Sequence, residues 1–159
     1  MSSKKTTIIG VCPVIYENGK FLLTDRFDIG DDPEEQFLKG CWQIPGGGIE
    51  FGETPEECCI RETKEELGID VKINRLLMVY NKFDAVRGWH GVFILYLVDR
   101  VDKNAEIRVD GVESSKYGWF TLNEARQLLL LPKTLPALEE IDKLLTQVPL
   151  SKTNINIVK

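Results

Sequence analysis

The chain has 159 residues, 43% of them apolar, and a net charge of −5. That length predicts one domain over 1–159 with its own core, 1–5 and 150–159 being flexible tails. The acidic balance excludes a general basic footprint for nucleic acid, and no apolar run approaches the roughly 20 residues that span a bilayer.

The N-terminus, Met-Ser-Ser-Lys-Lys-Thr-Thr, is basic but is not followed by the long apolar region of a leader. A cytoplasmic location is the resulting expectation. The cysteines are Cys12, Cys41, Cys58 and Cys59, none spaced as Cys-x-x-Cys, and His90 is the lone histidine. A zinc site is not expected. The cysteines read as reduced, mostly buried small hydrophobes.

In chain order, the β-branched stretch 6–15 predicts a strand, with Pro13 marking a bulge or an edge position. Glu17-Asn18-Gly19-Lys20 predicts a hairpin turn into a returning strand at Phe21–Thr24. Residues 27–40, with Asp28, Asp31, Asp32, Glu34 and Glu35, read as an acidic solvent loop. Cys41–Ile44 is a short strand leading into Gly46-Gly47-Gly48.

A helix over 54–67 follows. Thr54 is its N-cap, Pro55 its first residue, Glu57 the partner in a capping box, and Gly68 its stop. At roughly 100° per residue, Cys59, Ile60, Thr63 and Leu67 share the buried face, and Glu62, Glu65 and Glu66 share an adjoining arc. Carboxylates so close repel one another unless a cation lies between them, and hard divalent ions take oxygen ligands. The bland alternative is a solvated helix face partnered by Arg61 and Lys64.

Residues 70–81 and 89–99 predict two longer strands, the second central because its apolar run is continuous. Lys82–Gly88 is the loop between them. Residues 100–116 are irregular, Tyr117–Phe120 is a last short strand, and 122–131 and 135–148 are amphipathic helices separated by Pro132 and Pro136. The pattern predicts an α/β fold, a mixed sheet with the early and last helices on opposite faces.

The spacing around the acidic helix is specific. From Gly47 the chain reads Gly, five residues, Glu53, seven residues, then Arg61-Glu62-Thr63-Lys64-Glu65-Glu66-Leu67-Gly68-Ile69. This resembles the signature box of the Nudix hydrolase family, Gly-x5-Glu-x7-Arg-Glu-U-x-Glu-Glu-x-Gly-U, where U is aliphatic. The one departure is Thr63, expected to lose some stability rather than activity, its hydroxyl bonding a carbonyl one turn back.

The resemblance implies an α/β/α sandwich and Mg²⁺- or Mn²⁺-dependent hydrolysis of a phosphoanhydride in a small nucleoside diphosphate-linked substrate. It implies Glu62 and Glu66 as principal metal ligands, with Glu65 as ligand or base and the Gly46 carbonyl completing one coordination sphere. Arg61 would orient the carboxylates and Glu53 would pair with Arg61. Glu113, before the last strand, stands where similar enzymes place a further ligand or general base. Arg26, at the end of the second strand, stands where they hold a basic residue over the phosphates. Phe83, Asp84, Arg87 and Trp89 are nominated for the base or sugar pocket, since aromatic rings stack on bases. Each also reads as an ordinary surface residue.

Neither the downstream tyrosine of the diadenosine-polyphosphate subgroup nor the proline of the ADP-ribose subgroup is present. The chain looks more like small nucleoside-triphosphate or nucleotide-sugar hydrolases. The rivals are an RNA-cap or dinucleoside-polyphosphate hydrolase and a non-catalytic nucleotide-sensing module. The sequence expects no nucleic-acid or membrane partner and leaves a homodimer open. It predicts no cysteine nucleophile, because nothing supplies a partner base.

Overall fold

The computed structural model describes residues 5–27, 36–85 and 88–146. The acidic stretch 28–35, Arg87 and both predicted tails beyond those limits lie outside the described residues. The strands are β1 (Thr6–Glu17), β2 (Lys20–Asp25), β3 (Trp42–Gln43), β4 (Gly47–Gly48), β5 (Val71–Asp84), β6 (Trp89–Arg100) and β7 (Tyr117–Phe120). The helices are α1 (Pro55–Leu67), α2 (Leu122–Ala125) and α3 (Thr134–Thr146). The strands run in the order β3-β2-β1-β6-β5, with β4 beside β1 and β7 beside β2.

Parallel pairing of β1 with β6 from Thr6↔Trp89 to Ile15↔Val98 makes the sheet mixed. The central position expected for the second long strand holds, since β6 lies between β1 and β5. Alternation along the strands divides the core in two. Val11, Ile15, Leu22, Tyr96 and Val98 face α1, whose Cys58, Cys59 and Leu67 complete that cluster. Val14, Phe21, Leu23 and Leu95 face the other way and pack on Leu138 and Ile141 of α3. Helices therefore cover both faces, as the sequence predicts. Among the described residues no helix is long and apolar enough to cross a membrane.

Local signals held where the chain itself supplies the partner. Thr54 and Glu57 form the reciprocal capping box, and Gly68 closes α1 in the left-handed conformation at φ 69°. Asn18 and Gly19, both at positive φ, turn β1 directly into β2. The Thr63 hydroxyl donates to the Cys59 carbonyl at 2.6 Å. All four cysteines are free.

Several expectations are corrected. Pro13 holds an edge position only locally: β1 pairs with β6 straight through it on one side. Its missing N–H is tolerated because β1 leaves β4 after Val11 and joins β2 only at Tyr16. Ile60 is 41% exposed, and Glu62 and Glu66 take buried places instead. The helix predicted over 122–131 stops at Ala125. Beyond it, Trp42 N–H donates to the Leu129 carbonyl and Leu131 N–H to the Trp42 carbonyl, so tertiary pairing outweighs helix propensity there. Strand β5 runs on to Asp84, which pairs with Trp89, and the predicted 82–88 loop shrinks accordingly.

Thr63 is fully buried and its hydroxyl adds a second bond to a carbonyl already used by the helix. Thr63→Val keeps the shape and removes that competing bond. It is expected to raise stability by up to about 1 kcal/mol in urea unfolding, with any hydrolytic rate unchanged.

Candidate active site

Helix α1 and the glycine loop meet more closely than side chains normally allow. A Cβ on Gly47 would collide with the Glu62 carboxylate, and one on Gly46 with the Val11 carbonyl. Gly46 also lies at φ 143°, in the region that favours glycine. Its N–H donates to both oxygens of Glu66, at 3.3 and 3.2 Å. Residues four apart share a helix face, so Glu62 and Glu66 both turn toward the glycines. They are nearly buried, with 9% and 4% of their surface exposed.

Arg61 organises the remaining charges. Its Nε and one Nη grip Glu53 at 2.8 and 3.0 Å. The other Nη donates to Glu62 at 2.7 Å and to Glu65 at 3.1 Å, while the Nη that holds Glu53 also donates to the Gly48 carbonyl at 3.0 Å. This bidentate grip holds the Glu53 carboxyl well below the usual carboxylate range, at about 2. Glu62 goes the other way: burial raises it, more than Arg61 lowers it. Glu66 is pushed up to about 8, first by burial and next by the charge of Glu113, against the opposing Gly46 N–H.

Glu113 therefore belongs to this cluster, although it comes from the irregular segment before β7. Asp110 shapes its turn, accepting the N–H groups of Val112, Glu113 and Ser114. Among the described residues, no three acidic, histidine or cysteine side chains converge on one point. Glu62 is drawn toward Arg61 while Glu66 is drawn to the Gly46 N–H.

Gly46, Gly47, Arg26 and Glu113 line a cavity of about 600 Å³. The buried Nε of Arg26 has no hydrogen-bond partner. Tyr80, Trp89 and Phe93 line the same cavity. Tyr80 and Phe93 stack with centroids 5.1 Å apart, and Trp89 tilts against Phe93 at 6.3 Å. The Phe93 ring has room because it lies over Gly10 and Gly91, which place no side chain under it. Lys82 Nζ sits 5.6 Å from the Trp89 ring centroid.

Of the nominated pocket residues, Trp89 and Asp84 line the cavity. Phe83 does not line it, and this corrects its nomination. With β5 continuing to Asp84, alternation turns Tyr80, Lys82 and Asp84 inward and Phe83 away. Phe83 is 70% exposed and meets His90 edge to face at 5.7 Å. Arg87 lies outside the described residues. Sequence reasoning missed Tyr80 and Phe93. The signal was period-2 alternation along two long strands, readable only once their pairing is known. Cys12 lines the cavity, but burial, followed by the charge of Glu66, pushes its thiol up to about 12. Burial likewise lifts Cys58 and Cys59 to about 12, so no thiol is poised as a nucleophile.

Comparison with known proteins agrees with this geometry. The family model described as NUDIX domain matches residues 4–144. An ADP-ribose pyrophosphatase of Methanocaldococcus jannaschii is 32% identical over 120 residues, covering 76% of this chain and 65% of that protein. The chain thus spans about two thirds of that relative's length. The nucleoside triphosphatase NudI of Escherichia coli is 30% identical over 116 residues, covering 69% of this chain and 78% of NudI. A crystal structure of the MutT NUDIX hydrolase from Burkholderia pseudomallei superposes with a TM-score of 0.66 at 33% identity, covering 85% of this chain and 98% of that one. The MutT protein from Methanosarcina mazei gives 0.74 at 25% identity, covering 91% of this chain and 99% of that one. A match running through both core clusters and the whole acidic helix makes this chain a member of the NUDIX domain family.

Proposed function

We propose that this protein hydrolyses a phosphoanhydride bond in a small nucleoside diphosphate-linked substrate, a nucleoside triphosphate or a nucleotide sugar, with Mg²⁺ or Mn²⁺. One observation carries the reading. Buried Glu62 and Glu66 crowd like charges behind the glycines of a cavity that Glu113, from a distant loop, and the aromatic Tyr80, Trp89 and Phe93 also line. Such crowding is unfavourable in the metal-free chain, and the donor set is all hard oxygen, which suits a divalent ion. Glu62, Glu65, Glu66 and the Gly46 carbonyl would hold it. When bound, it neutralises the phosphates and lowers the pKa of water.

The chain's own groups divide the remaining work. Arg61 fixes Glu62 and Glu65, and Glu53 fixes Arg61 through its paired contacts. Arg26 meets the phosphates, its unpartnered Nε offering a donor. Glu113 or Glu65 takes the proton of the attacking water. Tyr80, Trp89 and Phe93 receive the base by stacking. The cysteines take no part. Relatives named for ADP-ribose and for nucleoside triphosphates support the nucleotide class and leave the choice within it to the aromatic residues.

A panel of nucleoside triphosphates, nucleotide sugars, ADP-ribose and dinucleoside polyphosphates with Mg²⁺ should release phosphate, pyrophosphate or a nucleotide from at least one. Chelation should stop turnover, and Glu66→Gln should lower kcat on the order of 100-fold or more. No turnover on any substrate, or a Glu66→Gln variant as fast as the parent, would sink the proposal.

Gly47→Ala should push the Glu62 carboxylate out of place while leaving both cores intact. Its kcat is expected to fall on the order of 10–100-fold with near-parent circular dichroism, since a displacement of about 1 Å is enough for such a loss.

The crowding also predicts a pH effect on metal-free stability. Glu66 is an acid whose folded value, about 8, lies above its ordinary 4.5. The folded state therefore binds its proton more tightly than the unfolded chain, and stability falls as pH rises through that window. Glu66→Gln should raise metal-free stability by roughly 2–4 kcal/mol at and above about pH 8, fading toward pH 4.5. Chemical unfolding of parent and variant at both pH values measures it.

A further inference from the structure

Asp25 ends β2 and is buried, with 3% of its surface exposed. Nothing in the reaction outlined above uses it. Its Oδ1 accepts the N–H groups of Ser115 and Lys116, each at 2.8 Å, and its Oδ2 accepts the Ser115 hydroxyl at 2.6 Å. Backbone bonds run beside these. Asp25 N–H donates to the Lys116 carbonyl at 3.1 Å, and Phe27 N–H donates to the Glu113 carbonyl at 2.8 Å. Burial pushes the Asp25 carboxyl up, but the Ser115 and Lys116 bonds together outweigh it and hold the group below its ordinary value. It is thus a charged carboxylate with its acceptors in use.

The placement of those bonds is informative. Asp110 closes the turn on itself and fastens nothing to the sheet. Asp25 hydrogen-bonds the 113–116 segment to the sheet two residues past Glu113, beside Lys116 Nζ over the Trp42 ring at 5.3 Å. The next residue in the chain, Arg26, lines the same cavity as Glu113. Its own N–H is held by the Cys41 carbonyl at 2.8 Å. One short stretch of β2 thus sets where both side chains stand.

We propose that Asp25 is a positioning residue, fastening the 113–116 segment to the end of β2 so that Glu113 faces the reacting phosphates from a fixed point beside Arg26. It touches no substrate itself. The proposal rests on the reading of Glu113 as part of the reacting site. Losing the clamp leaves the Glu113 turn intact but free to shift, so the loss falls on kcat more than on KM.

The test is a double-mutant cycle on the metal-loaded full chain, using the best substrate of the panel. Asp25→Ala is expected to lower kcat on the order of 10–100-fold with KM little changed. The Asp25→Ala/Glu113→Gln double variant should be no slower than Glu113→Gln alone, because Asp25 acts through Glu113. Asp25→Asn should recover most of the rate. Its oxygen still accepts both N–H groups, and the Ser115 hydroxyl can turn to accept from the amide. Parent kcat in Asp25→Ala, losses that multiply in the double variant, or no rescue by Asn would overturn the proposal while Glu113→Gln remains slow. A Glu113→Gln variant at the parent rate would instead remove the Glu113 reading, and this proposal with it. If circular dichroism shows Asp25→Ala unfolded, Ser115→Ala replaces it in the cycle. That change removes the hydroxyl bond alone, so non-additive loss of smaller size supports the clamp and multiplicative loss overturns it.

Discussion

The structure depends on bringing a helix face rich in carboxylate against a bare backbone. Glu62 approaches Gly47 so closely that no side chain fits there, and Gly46, whose N–H holds Glu66, is closed to a side chain by the Val11 carbonyl. Each carboxylate finds one compensating contact, Arg61 for the first and the Gly46 N–H for the second. Neither contact neutralises the cluster. Burial and the charge of Glu113 leave Glu66 holding its proton unusually tightly. A folded protein normally avoids such an arrangement, because a buried charge without a matching partner is destabilising. Its presence beside a cavity is what gives it functional meaning.

The rest of the fold serves as the mount. Strand β1 is paired to β4, β2 and β6 in turn, and so joins the glycine loop, the Arg26 strand and the aromatic strand in one frame. The two core clusters grip that frame from both faces. At its open end the far strands β5 and β6 carry the aromatic group, and the end of β2 carries the segment with Glu113. The glycine loop and the aromatic group thus line one cavity from different strands.

How much was legible depended on whether a residue's partner lay near it in the chain. The capping box, the hairpin at Asn18-Gly19 and the Thr63 back-bond are local, and the residue pattern alone anticipates them; the short-range Glu53–Arg61 pair followed from the resemblance. Glu113, nominated through resemblance of position, lines the cavity beside Gly46 and Gly47, though nothing in its own neighbourhood in the chain distinguishes it. Phe83 failed because a strand three residues longer than expected reverses which side chains face the cavity. The short α2 failed because Trp42 competes for the backbone at Leu129 and Leu131, an interaction across most of the chain.

By itself, the sequence determined the spaced set of Gly47, Glu53, Arg61, Glu62, Glu65 and Glu66 around a capped helix, where helical geometry brings Glu62, Glu65 and Glu66 together and the resemblance of the spacing implies the reaction class. Only the tertiary structure decided what surrounds that set. Tyr80, Trp89 and Phe93 become one wall only when β5 pairs with β6. Asp25 meets Ser115 and Lys116 only when β2 receives the segment before β7. Those contacts join residues far apart in the chain, and no local rule of spacing encodes which strand will lie beside which.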